Sequence, residues 1–109
     1  MQIAENVYKL SKGFPREEMY GMTSQIRRSS ASIAANIAEG YGRENRGSFI
    51  QFLRIAQGSL KETETHLLLC ERIGLLKRKQ IESPLEQTDE LGRMLRSLIR
   101  AVQRKAASN

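Results

Sequence analysis

The stretch SSASIAANIAEGYGR, residues 29–43, consists mainly of serine, alanine and glycine, and its only carboxylate is Glu39. Side chains of this size add little volume to the backbone, so neighbouring helices can approach such a segment closely on several sides. A helix of an isolated bundle normally keeps one polar outer face in water. The stretch therefore predicts a helix that contacts protein on its outer side as well, which indicates an oligomer.

The composition predicts a single helical domain. A chain of 109 residues can build one hydrophobic core, and with only two prolines its common residues are good helix formers. The single cysteine excludes an intramolecular disulfide, so a cytoplasmic location is expected. No apolar run approaches the roughly 20 residues that cross a bilayer, and no membrane contact is expected.

Apolar residues recur at helical spacing in four segments of the chain. They predict helices over residues 2–13, 23–42, 48–73 and 83–105. Short turns between them indicate an all-α, up-down-up-down four-helix bundle. The first helix is short: at about 1.5 Å per residue it spans roughly 18 Å, against nearly 40 Å for the third. Part of the third helix therefore lacks a first-helix neighbour, which leaves apolar surface for a second chain to cover.

Local sequence signals predict where the third helix ends and the fourth begins. Gly74, followed by Leu75, is typical of a left-handed C-terminal cap. The tetrapeptide at residues 83–86, SPLE, combines a serine N-cap, a proline at the first helical position and a glutamate three residues after the cap. Ile81 leaves open an earlier start near Lys77 with a kink at the proline. The start at Ser83 is the favoured prediction.

Two longer stretches resemble a known family. FPREEMYGMTSQIRRSSASIAANIAEGYGR and FIQFLRIAQGSLKETETHLLL, between residues 14 and 76, resemble bacterial four-helix-bundle proteins encoded in intervening sequences of large-subunit ribosomal RNA genes. The motifs NIAEG and GSLKETET carry the resemblance. It implies a ring-like homo-oligomer, a pentamer, with no established enzymatic activity. The family is related to the accessory variability determinant proteins of diversity-generating retroelements, which implies nucleic acid and a reverse transcriptase as partners.

Four polar residues of the second and third helices form a candidate set: Asn36, Glu39, Ser59 and Glu62. One interpretation makes them a ligand-binding or catalytic site. The favoured interpretation is a structural polar network that fixes the register of the two helices. An unpaired buried polar group costs about 1–3 kcal/mol, so the members of such a set must bond to one another or to water.

His66 and Cys70 lie one helical turn apart, and Glu62 lies one turn before them. A thiolate–imidazole nucleophile would need this proximity. A metal site would need further ligands, and the chain has no other Cys or His, so only zinc shared between subunits remains as a metal alternative. The favoured interpretation is a half-buried histidine above a core cysteine. No catalytic residue, metal or cofactor is predicted.

The net charge of +6 is concentrated at the C-terminus, where residues 91–109 carry five Lys/Arg and no Asp/Glu. On an ideal helix the arginines of this segment lie roughly opposite its apolar stripe. The predicted nucleic-acid contacts are Arg93, Arg96, Arg100, Arg104 and Lys105. Arginine suits bidentate phosphate bonding, whereas the alternative is a solvated face with cations near the helix C-terminus.

The sequence therefore predicts a non-enzymatic homo-oligomer that binds DNA or RNA through its fourth helix. Such a protein would assist an RNA- or DNA-processing partner such as a reverse transcriptase. The alternative function is a protein–protein adaptor or scaffold whose arginines meet an acidic patch on another protein.

Overall fold

The computed structural model describes residues 2–108, with side chains for residues 2–105. Over these residues the chain is all-helical, as predicted, with no strand. The elements are α1 (Gln2–Ser11), a short 3-10 helix (Arg16–Glu18), α2 (Met22–Tyr41), α3 (Arg46–Arg72) and α4 (Arg78–Ser108). None of the helices in this described part is long and apolar enough to cross a membrane.

The four helices form a bundle in which each packs against the next along the chain and α1 closes the bundle against α4. Hydrogen bonds show the antiparallel order of α2 and α3, because Ser29 meets Thr63 whereas Ser32, later in α2, meets Ser59, earlier in α3. The start of α1 (Ile3) lies near the later part of α4 (Leu91), and its end (Lys9) lies near the start of α4 (Gln80), so these two helices are antiparallel as well. The predicted up-down-up-down arrangement agrees with these contacts.

The short first helix divides the core into two parts. α1 has 10 residues and α3 has 27, so α1 covers less than half the length of α3. Around α1, Ile3 and Val7 pack into a cluster with Ile33 and Leu67. Beyond it, a second cluster has a buried centre from α3 and α4, formed by Leu53, Ala56, Leu95 and Ile99. The end of the bundle beyond α1 is therefore thinner than the end that contains it.

The small residues of α2 lie on two different surfaces of the helix. Ser29 and Ser30 are buried, and the Ser29 hydroxyl lies 3.0 Å from that of Thr63, so α2 and α3 approach closely on this side. Ala31, Ala35 and Ala38 point the other way and are exposed in the single chain. The predicted close approach thus occurs towards α3, and the outer alanines remain uncovered by this chain's own helices.

The end of α3 confirms the predicted cap. Gly74 has a φ of 85°, the left-handed conformation that glycine adopts without strain. The N–H of Leu75 donates to the carbonyl of Cys70 at 2.8 Å, and the N–H of Gly74 donates to that of Glu71 at 3.2 Å. These two bonds define a Schellman motif, which satisfies carbonyls that the helix end would leave unpaired.

The predicted start of α4 at Ser83 is wrong, because the helix begins at Arg78 and contains Pro84 in its interior. The side chain of Gln80 caps the new start by accepting a hydrogen bond from the N–H of Lys77 at 2.9 Å. Leu76 and Ile81 on either side are both buried in the cluster around α1. This arrangement is a hydrophobic staple, and the burial of two large side chains favours the earlier start although proline lacks a helical N–H.

The other predicted helix ends differ by a few residues. α1 ends at Ser11, and α3 begins at Arg46. The start of α3 has a cap that was not predicted: Asn45 Oδ1 accepts a hydrogen bond from the N–H of Ser48 at 2.7 Å.

Candidate nucleic-acid interface

The predicted contact cations all lie on the exposed side of α4. Leu95 and Ile99 of the same helix are buried in the core. The exposed set comprises Arg93, Arg96, Arg100, Arg104 and Lys105. α4 therefore presents an apolar face to the bundle and a cationic face to solvent, which is the separation a polyanion-binding helix requires.

The arginines differ in their surroundings. Arg93 Nη2 lies 3.1 Å from Asp89 Oδ2, one turn earlier, and both side chains are largely exposed. An exposed pair of this kind is worth about 0–1 kcal/mol, so a phosphate can compete for the arginine, but the carboxylate lowers the local positive charge. Arg96 instead lies beside α3, at the seam between α3 and α4.

Arg96 lines a groove of about 380 Å³ between α3 and α4. The groove is formed by Arg54, Gln57, Gly58, Leu60, Lys61, Gly92 and Arg96. Among the residues that line it there is no carboxylate. Of its cations, Lys61 pairs with a carboxylate outside the groove, since Lys61 Nζ lies 3.3 Å from Glu64 Oε1.

Of the groove residues Arg54 and Lys61, the sequence predicts only Arg54, and only as an alternative contact should the arginines of α4 not bind. They lie seven residues apart on α3, which is two helical turns and therefore the same side of the helix. That spacing was the available signal in the sequence. It could not show that α4 would place Arg96 on the opposite wall, since this depends on how the two helices pack.

Part of the predicted polar set forms a hydrogen-bonded network between α2 and α3. Asn36 Nδ2 donates to the carbonyl of Ser32 at 2.8 Å and to its hydroxyl at 2.9 Å. The Ser32 hydroxyl lies 2.8 Å from that of Ser59 on α3. These bonds link the two helices through side chains that pair with one another, which agrees with the structural interpretation for Asn36 and Ser59.

The two carboxylates of that set lie outside the network, so their predicted grouping with Asn36 is wrong. Glu39 is 60% exposed and pairs with Arg43 at 3.0 Å. Glu62 is 45% exposed, with its Oε2 at 3.8 Å from Arg28 Nη2. Glu39 follows Asn36 by three positions, and Glu62 follows Ser59 by three. Three residues turn a helix by about 300°, so each carboxylate lies roughly 60° around the helix from the network residue, on the side that faces solvent.

Cys70 and His66 are both buried, and their surroundings disfavour a reactive thiolate. Burial raises the pKa of the Cys70 thiol to about 11, and the negative charge of Glu18 acts in the same direction. His66 Nε2 lies 3.7 Å from Glu62 Oε2, beyond hydrogen-bond distance, and neither ring nitrogen has a hydrogen-bond partner. Within the described residues, no three His, Cys, Asp or Glu side chains converge as metal ligands.

We expect Cys70 to resist iodoacetamide at pH 8 in the folded protein and to react once guanidinium chloride unfolds it. The folded thiol keeps its proton above the ordinary pKa of 9.0, so its contribution to stability is present below pH 9.0 and is lost between pH 9.0 and about 11. Urea unfolding at pH 8 and pH 10.5 measures this loss. A Cys70→Ala variant is the control, since this component of the pH dependence disappears with the thiol. Rapid labelling of the folded protein at pH 8 would contradict a buried, protonated Cys70 thiol.

Comparison with known proteins supports the resemblance found in the sequence. The profile of the 23S rRNA-intervening sequence protein family matches residues 1–97. The fold is similar to the crystal structure of a protein of unknown function from the S23 ribosomal protein family of Bacteroides thetaiotaomicron, with a TM-score of 0.83 and 35% sequence identity. That similarity covers 90% of this chain and 92% of the other. No curated protein matches the chain. By sequence and by structure, the chain belongs to the 23S rRNA-intervening sequence protein family.

Proposed function

We propose that this protein is a non-enzymatic, cytoplasmic homo-oligomer that binds nucleic acid through the cations of α4. The observation that carries the proposal is the exposed set from Arg93 to Lys105, which follows the last carboxylate of the chain, Glu90. Such cations contact phosphates and not the edges of bases, so binding is expected to be largely independent of the nucleic-acid sequence.

Exposed apolar side chains support assembly into an oligomer. Tyr20 is 94% exposed, and Leu69, Ile73 and Met94 are also exposed in the single chain. Together with the outer alanines of α2, they offer surface that neighbouring subunits would cover. We propose a ring-like pentamer, in which the cations of α4 recur once per subunit and several weak contacts act together on one nucleic acid.

An accessory role fits this form of binding. A ring that holds nucleic acid by its phosphates can present it to an enzyme without choosing its sequence. The proposed relation of the family to the accessory variability determinant proteins of diversity-generating retroelements suggests a reverse transcriptase as a partner of this type.

The second candidate function is a protein adaptor. It is favoured by the exposed apolar residues Tyr20 and Ile73, which a partner protein could cover as well as a second subunit could. In that case the arginines of α4 would meet an acidic protein surface.

The wild-type protein is expected to bind random duplex DNA, single-stranded DNA and structured RNA, with affinity that falls steeply as salt rises. Filter binding over a salt series measures this. Light scattering at micromolar concentration should give a mass near five times 12.4 kDa. Absence of nucleic-acid binding near physiological salt would favour the adaptor, and a stable monomer would exclude the ring.

A further inference from the structure

Gly58 forms part of the groove between α3 and α4, and the packing of the chain does not require a glycine there. A Cβ placed on Gly58 would meet nothing within 4 Å, although the residue lies in the middle of α3. Glycine destabilises a helix interior relative to alanine, so its presence at an open position calls for another reason. A bare backbone allows a ligand to approach the helix closely.

Gly92 on the opposite wall has different surroundings. A Cβ on this residue would lie 3.4 Å from Leu60 Cδ2, an ordinary van der Waals distance, so α4 is already in contact with α3 at this position. Gly92 is thus buried against α3, whereas Gly58 is exposed and leaves the surface of the groove open.

Three exposed cations surround the open glycine. Arg54 lies one turn before Gly58 on α3, Lys61 lies three residues after it, and Arg96 reaches the groove from α4. The ammonium group of Lys61 forms an ion pair with Glu64, but the lysine side chain is largely exposed. Because an ammonium has three N–H donors, Lys61 can contact a phosphate as well. The groove thus combines positive charge from two helices with a segment of backbone that no side chain covers.

We propose that this groove holds the phosphodiester backbone of the bound nucleic acid. A phosphate lies over Gly58, between the guanidinium groups of Arg54 and Arg96, and Lys61 contacts the same phosphate or the next one. This inference rests on the proposed function and narrows it from the outer face of α4 to the seam between α3 and α4. Phosphates suit this seam because arginine bonds them bidentately from either side.

The first test is the double variant Arg54→Gln with Arg96→Gln, measured by fluorescence anisotropy. The probe is a labelled mixed-sequence single-stranded DNA of about 30 nucleotides, long enough to span several phosphate contacts. Affinity at moderate salt is expected to fall roughly tenfold or more. The slope of log affinity against log salt should flatten by about one per engaged subunit, because the two arginines contact the same phosphate.

The matched control is the double variant Arg16→Gln with Arg72→Gln. Both arginines are exposed, and the variant loses the same charge. Arg72 lies fourteen residues beyond Gly58 on α3, roughly 21 Å along the helix. This control should bind the DNA with an affinity within about twofold of the wild type. Because both double variants lose two positive charges, any effect of net charge on affinity is the same for both.

The second test separates ligand binding from packing at Gly58. Gly58→Ala and Gly58→Leu should raise the melting temperature by several degrees, because alanine and leucine favour a helix. The same substitutions should weaken DNA binding in the order of their size. If they instead lower the melting temperature or dissociate the oligomer, the glycine serves a subunit contact and the proposal is overturned.

The outcomes distinguish this inference from the function on which it rests. If the wild-type protein binds no nucleic acid, both are wrong. If the wild type binds and Arg54→Gln with Arg96→Gln retains full affinity, while Arg100→Gln with Arg104→Gln loses it, the groove is wrong and the outer face of α4 is the interface.

Discussion

The quadruple replacement of Arg93, Arg96, Arg100 and Arg104 by glutamine is expected to lower the affinity for nucleic acid roughly 100-fold or more at moderate salt. The four side chains are exposed, so their substitution removes charge without removing core packing. Glutamine keeps the helix propensity and much of the length of arginine, which leaves charge as the main variable. Filter binding over a salt series should show the loss for all sequences alike.

The four arginines are not expected to contribute equally. Arg93 already pairs with Asp89, so its single substitution should cost least. Arg96 lies beside Arg54 and Lys61 in the groove, so its single substitution should cost most. The salt slope should flatten by about one unit for each lost contact and engaged subunit.

Circular dichroism and light scattering provide the control for this variant, because it must keep the helical content and mass of the parent. An intact oligomer that binds with unchanged affinity and salt slope would place the interface elsewhere on the protein. Arg43 is a weaker candidate there, since it pairs with Glu39 and its guanidinium stacks 4.7 Å from the ring centre of Phe52.

The largest loss of stability is expected from Ser29→Leu. Ser29 is only 2% exposed, and its hydroxyl lies 3.0 Å from that of Thr63 across the close contact between α2 and α3. A leucine overfills this contact and removes a hydrogen-bond partner of the buried Thr63. Overpacking costs about 1–3 kcal/mol and a lost hydrogen bond about 1 kcal/mol, so the free energy of unfolding should fall by about 2–4 kcal/mol. Urea unfolding monitored by circular dichroism measures this.

Ala35→Leu is the matched control, because it makes a similar enlargement on the exposed side of α2. A single bundle should tolerate this substitution, so the free energy of unfolding should change by no more than about 0.5 kcal/mol, as is typical of surface substitutions. If subunits contact this side of α2, as the ring proposal requires, the same variant should shift the mass seen by light scattering. If Ser29→Leu is as stable as the parent, the contact between α2 and α3 is packed less tightly than the structure shows.

Sequence alone determined those features that depend on neighbouring residues. The four helices follow from the spacing of apolar residues, since a period near 3.6 gathers them on one face. The left-handed cap at Gly74 follows from the chemistry of glycine itself. The separation of charge on α4 is likewise a local property, because residues of one helix keep fixed angles to one another. The motif NIAEG and its surroundings also sufficed to indicate the family.

Tertiary packing decided which residues of different helices meet. The sequence SPLE at residues 83–86 has the chemistry of a helix start, yet the burial of Leu76 and Ile81 together moves the start of α4 to Arg78. Glu39 and Glu62 left the polar network because the rotation of each helix in the bundle turns them to solvent. The groove of Arg54, Lys61 and Arg96 exists only where α3 packs against α4. Periodicity fixes the faces of a helix, but the partner of each face depends on contacts between residues distant in the chain, which a local pattern does not encode.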